Sequence, residues 1–132
     1  MSIKTTFKEF EIKATLKGDK KATWSENNFN NHMVKVTNTE NKTSTSFEYW
    51  ASISSPKITE KSEILDAFTC FIGDAMSGEY DYKEFCNEFC YEEDSRQARS
   101  TWRGCQRANN KLKKIYDKDI YELSDELREV TE

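Results

Sequence analysis

The chain has 132 residues, with 36% apolar, 13% aromatic and 33% charged residues, a formal net charge of −4 and a pI near 5.2. That length and aromatic content suit a single domain, 1–132, with a real core, and one proline with four glycines excludes collagen-like and linker-dominated chains. No apolar run is long enough to cross a bilayer, and the opening MSIKTTFKEFEIKATLKG lacks the apolar stretch and cleavage site of a signal peptide, so a soluble cytoplasmic protein with reduced thiols at Cys70, Cys86, Cys90 and Cys105 is expected.

From Phe7 the stretch FKEFEIKATL alternates, with Phe10, Ile12, Ala14 and Leu16 on one face, which predicts a half-buried strand ending at Lys17-Gly18-Asp19. The following DKKATWSENNFNN has turn formers and no period and reads as a connection, with Trp24 and Phe29 as anchors. HMVKVTN and TSTSFEYWASI flank Thr39-Glu40-Asn41-Lys42, where Asn41 suits a left-handed turn, and predict an antiparallel hairpin. The sum is a three-stranded antiparallel sheet over residues 1–58, closed by Pro56.

Residues 59–132 read as mainly α, which makes the fold class α+β, an N-terminal sheet followed by three to four helices. With Thr59 as a candidate N-cap, Ile64, Leu65, Phe68, Ile72, Ala75 and Met76 recur at helical spacing as far as Gly78, a natural stop. Asp81-Tyr82-Lys83-Glu84 resembles a capping box and opens a short helix bearing Phe85 and Phe89, and Asp94-Ser95-Arg96-Gln97 repeats the device with Asp94 as its cap. The helix it opens carries a continuous apolar stripe of Ala98, Trp102, Cys105, Ala108, Leu112, Ile115 and Tyr116. Ile120, Leu123 and Leu127 then share one face of a fourth helix.

Charge is segregated: residues 1–58 sum to +3, 59–94 to −9, 95–116 to +7 and 117–132 to −5. At 100° per residue Arg96, Arg99, Arg103, Arg107, Lys111 and Lys114 fall on the side of the third helix opposite Trp102 and Cys105. Such a face can bind carboxylates or phosphates bidentately, or it can be a solvated surface neutralised by neighbouring acids. The acidic stretch before it, including Glu84, Glu88, Glu92 and Glu93, can imitate a phosphate backbone, or simply solubilise the protein and cap helices.

Enzyme chemistry finds little support. The single histidine, His32, sits on a predicted strand with no nucleophile or base motif beside it and is expected to be exposed; there is neither a glycine-rich phosphate loop nor an H-E-x-x-H pair. The four cysteines admit a four-thiolate metal site geometrically, but lack the knuckle spacing of zinc modules, so core packing is the expectation and no metal or other cofactor is assigned.

YKEFCNEFCYEEDSRQA and the basic helix after it resemble the C-terminal half of a group of small proteins encoded by phages and prophages, in which a phrase F-x-x-F-C-x-E-F-G-Y-x-x-D-S-R joins two helices. The match rests on Phe85, Cys86, Glu88, Phe89, Tyr91, Asp94, Ser95 and Arg96 and covers residues 60–116, with Cys90 standing where the group has glycine, a substitution expected to disfavour a left-handed helix end. The resemblance implies a phage origin and a class of small acidic inhibitors of host defence, including anti-CRISPR proteins that bind an effector complex. On that reading the protein acts in the host cytoplasm without catalysis, occluding a host protein or nucleoprotein through Arg96–Lys114 and the acidic ridge, with Trp50 as an apolar anchor. The alternative is a direct nucleic-acid binder of phage replication or recombination, which predicts retention of bare DNA or RNA at physiological salt.

Overall fold

A computed structural model describes residues 2–21, 28–52 and 61–131. It is α+β: four strands, β1 (Ser2–Phe7), β2 (Phe10–Lys21), β3 (Asn28–Asn38) and β4 (Thr43–Ser52), precede four helices, α1 (Lys61–Ser77), α2 (Tyr82–Glu88), α3 (Arg96–Ile115) and α4 (Ile120–Thr131). The strands form one antiparallel meander in the order β1-β2-β3-β4. The chain divides into two compact units, one running to Phe68 and the other from Thr69 to Val130, so the boundary falls inside α1. No helix among the described residues is long and apolar enough to cross a membrane.

The sheet has four strands where three are expected, because β1 turns straight into β2 through Lys8-Glu9 and pairs Phe7 with Phe10 and Thr5 with Ile12. Two-residue hairpin turns normally advertise themselves with Asn or Gly; here Lys8 takes the positive φ of 53° itself. β2 also runs past the expected stop at Gly18. The register shifts between Leu16 and Gly18, and pairing with β3 continues to Lys21–Asn28. The β3–β4 hairpin is as expected, with Val34 opposite Phe47. Its left-handed residue, however, is Lys42 at φ 61° and not Asn41. Asn41 works through its side chain, whose Oδ1 accepts from the Thr43 N–H at 3.0 Å, and Asn38 Oδ1 accepts from the Glu40 N–H at 3.0 Å. The Thr39 N–H and hydroxyl both donate to the Glu9 carbonyl at 2.8 Å, tying this turn to the first.

Alternation puts Phe10, Ile12 and Ala14 of β2 and Val34 and Val36 of β3 on the buried face, with Ile12 opposite Val36 and Ala14 opposite Val34. His32 belongs to the same series and is buried, not exposed as its lack of motif partners suggested. In α1, Ile64, Ala67 and Phe68 are fully buried, and Phe68 meets Phe10 edge to face at a centroid distance of 5.5 Å. Thr59, Pro56 and Trp24 lie outside the described residues.

In the second unit, Phe71, Ile72 and Ala75 of α1, Phe85 and Cys86 of α2, Ala98, Cys105, Ala108, Leu112 and Ile115 of α3, and Ile120, Leu123 and Leu127 of α4 are buried. Each fully buried Leu, Ile or Phe among them contributes about 1.5–3 kcal/mol. The stripe on α3 is as expected except at its rims, where Trp102 and Tyr116 are half-buried. One polar residue joins it: Asn109, 5% exposed, donates from Nδ2 to the Ala75 carbonyl of α1 at 2.8 Å. The Trp102 indole N–H likewise donates to the Tyr80 carbonyl at 3.0 Å.

Gly78 ends α1 for a reason the sequence does not reveal. Its φ lies outside the left-handed region; what demands glycine is proximity, since a Cβ there would stand 2.2 Å from the Cys105 carbonyl oxygen and 2.9 Å from the Gln106 nitrogen of α3.

Candidate functional site: the arginine face of α3

Two helix ends set the position of the site. Asp81 caps α2 as expected, its carboxylate accepting from the Glu84 N–H at 2.8 Å. Hydrogen bonds from the backbone and side chain of Glu84 hold the Asp81 carboxyl below the usual aspartate range, and the same contact raises Glu84. At its far end α2 closes in a Schellman turn. The Phe89 N–H donates to the Phe85 carbonyl at 3.0 Å, the Tyr91 N–H reaches back to the Cys86 carbonyl at 2.9 Å, and Cys90 between them takes φ 59°. The Phe85 and Tyr91 rings, stacked at 5.8 Å, supply the apolar contact that accompanies this motif. Cys90 thus adopts the left-handed conformation that its side chain was expected to disfavour.

α3 starts one residue later than predicted. Ser95, not Asp94, is its N-cap, with Oγ accepting from the Ala98 N–H at 3.2 Å. From there Arg96, Arg99, Arg103 and Arg107 are all exposed on one side of the helix. Steps of three, four and four residues keep them within an arc of about 80° and spread them over about 16 Å of helix axis. With Ser100 they line a concavity of ≈ 450 Å³. The Arg107 guanidinium lies over Gly104, 3.7 Å from where a Cβ would be.

Among the described residues none of these four arginines forms an ion pair; the ion pair Lys4–Glu11, at 3.6 Å, belongs to the sheet. The acids that segregation of charge suggested as internal partners are exposed but do not close on them. Glu88, Glu92 and Glu93 are exposed, Glu84 shares its hydrogen bond with Asp81, and Glu79 accepts from the Tyr121 hydroxyl, whose pKa is raised by desolvation and by that bond. Lys114 is exposed, while Lys111 is half-buried with interactions of its own. Trp50 lies opposite Asn31 on β4, in the other unit, and its side chain is outside the described part.

A residue that sequence reasoning passed over connects the two charged stretches. The Tyr82 hydroxyl donates to the Glu93 carbonyl, and its ring packs edge-on against Trp102 at 5.3 Å. Desolvation, followed by the Cys86 thiol, raises the Tyr82 pKa, and the Arg99 guanidinium hydrogen-bonded to it acts in the opposite direction. The half-buried Tyr82 and Trp102 therefore border the arginine row beside Arg99. The only sequence signal for this was a tyrosine at the first position of a capped helix.

The cysteines do not assemble: Cys70 and Cys90 are exposed, Cys86 and Cys105 buried, and among the described residues no three of His, Cys, Asp and Glu come together to hold a metal ion. Burial, with the Asp74 carboxylate adding to it, pushes the Cys105 thiol up to about 11, so it stays protonated and acts as a packing group. No family model, curated protein or solved structure matches the chain.

Proposed function

We propose that this is a non-enzymatic binding protein that docks the arginine face of α3 on an anionic surface of a larger macromolecular partner and occludes it. The observation that carries the reading is that, among the described residues, Arg96, Arg99, Arg103 and Arg107 form no ion pair, in a chain whose acids outnumber its bases. Exposed guanidiniums that the protein's own carboxylates leave unused are available for bidentate bonds to phosphate or carboxylate. The resemblance of residues 60–116 to phage and prophage proteins supports a setting for this binding: an inhibitor of a host defence nucleoprotein, such as a CRISPR effector, in the host cytoplasm. The exposed acidic residues Glu88, Glu92 and Glu93, on the segment that leads into α3, supply a second sign of charge, which suits a partner presenting both phosphates and basic side chains better than a bare duplex.

The test is affinity capture from host lysate with and without nuclease treatment, comparing the wild type with an Arg99→Ala, Arg103→Ala, Arg107→Ala triple variant. Specific capture by the wild type that the folded triple variant loses is expected. A triple variant that captures the same partner at full yield would remove the arginine face from the function.

A further inference from the structure

Resting on the reading of the arginine face as the docking surface, we propose that what it holds in the partner is an exposed single strand of nucleic acid, with phosphates on the arginines and a base against the Tyr82–Trp102 edge. Three observations converge on this class of ligand. First, the row is continuous, four arginines within an arc of about 80° whose backbone positions rise by about 4.5, 6 and 6 Å along one helix and whose side chains line one concavity. A flexible backbone with one charge per nucleotide can follow such a row. Second, its border is aromatic. Tyr82 and Trp102 are half-buried, locked edge to face at 5.3 Å and anchored by hydrogen bonds to Glu93 and Tyr80, and Arg99 reaches the Tyr82 hydroxyl. A basic track beside fixed aromatic rings is the combination that binds single strands without sequence preference, because every base has a face to stack.

Third, that border adjoins an acidic segment, since the Tyr82 hydroxyl is held by the Glu93 carbonyl. Glu92 and Glu93 are exposed, and neither pairs with a base among the described residues. A duplex seated on the row brings a second strand of phosphates toward this acidic segment, which repels it. A single strand keeps its charge on the arginines and turns only its neutral bases toward the aromatic side. An acidic peptide satisfies the arginines equally but makes no use of the rings.

The experiment is fluorescence anisotropy with a labelled 12-nucleotide oligo-dT at 50 mM salt, in competition with unlabelled oligo-dT, a 12-base-pair duplex and polyglutamate of matched charge. With four phosphate contacts the affinity should fall about 20-fold between 50 and 150 mM salt, following a slope of about −0.7 per contact on logarithmic axes. That fall makes bare strand poorly retained at physiological salt, where the rest of the partner must contribute. Arg103→Ala and Arg107→Ala should each flatten the slope by about 0.7. Tyr82→Leu, checked for folding by circular dichroism, should weaken oligo-dT about tenfold, the scale of one lost stacked base, without changing the slope. Duplex and polyglutamate should compete at least tenfold less well than oligo-dT.

No anisotropy change at 50 mM salt, equal competition by duplex or polyglutamate, or wild-type affinity in folded Tyr82→Leu would each overturn the proposal. Arginine-dependent capture of a partner from lysate without oligonucleotide binding would remove the single strand and leave the docking face standing. Loss of both would remove both.

Discussion

Cys90 offers a measurement of what a left-handed helix end costs when glycine is absent. In the Schellman turn that closes α2 it holds φ 59° while the Tyr91 N–H bonds the Cys86 carbonyl and Tyr91 stacks on Phe85. A side chain in that conformation costs roughly 1–2 kcal/mol through the clash of its Cβ with the backbone. Replacement by glycine relieves this but adds freedom to the unfolded chain, which takes back about 0.4–1 kcal/mol. Because Cys90 is exposed, no packing is lost, and Cys90→Gly should therefore stabilise the protein by about 0.5–1 kcal/mol. The control is Cys90→Ala, which removes the thiol but keeps the Cβ and should stay within about 0.5 kcal/mol of wild type. Urea unfolding under reducing conditions, monitored by far-ultraviolet circular dichroism, should show the glycine variant's midpoint raised by about 0.2–0.7 M with an unchanged slope. Glycine and alanine variants of equal stability, or a glycine variant less stable than wild type, would refute the account of a strained left-handed residue.

Two further predictions concern the caps. Ser95→Ala should destabilise by about 1 kcal/mol by removing the acceptor for the Ala98 N–H, whereas Asp94→Ala should cost less than about 0.5 kcal/mol; the reverse order in thermal unfolding would return the cap to Asp94. Carbon-detected NMR titration should find Asp81 titrating below and Glu84 above their usual values, with Glu84 returning toward its ordinary value in Asp81→Asn. Since the folded-state pKa of Asp81 is depressed, its contribution to stability is complete above the unfolded value near 4 and is lost as pH falls through the lowered one.

The sequence showed most clearly those features that rest on a local period. Phe10, Ile12 and Ala14 alternate because one face of the sheet is buried, and Ala98, Cys105, Ala108 and Leu112 recur because one face of α3 is; both patterns survive into the structure. What escaped was settled by backbone geometry or by distant neighbours. β1 was hidden because a lysine takes the turn conformation usually given to Asn or Gly, and the end of β2 because Gly18 follows a register shift and does not stop the strand. Asn109 reads as a polar interruption until the Ala75 carbonyl is placed opposite it. The arginine positions were legible from 100° arithmetic, but their pairing was not. Whether a surface arginine is neutralised depends on where distant carboxylates come to rest, and here Asp81 and Glu84 come to rest on each other and Glu79 on Tyr121, while Glu88, Glu92 and Glu93 are exposed.

The close approach at Gly78 bears on all of this. Where the backbone of one segment touches the backbone of another with room for no more than a hydrogen, neither sliding nor rotation by one residue is tolerated, because Ser77 and Glu79 on either side would bring a side chain into the same space. The contact therefore works as an index pin: it sets which residue at the end of α1 can stand against α3 at Cys105. Arg103 and Arg107 lie two residues to either side of that pin, so while the buried stripe of α3 turns them outward, the pin holds the level at which the end of α1 meets the helix between them.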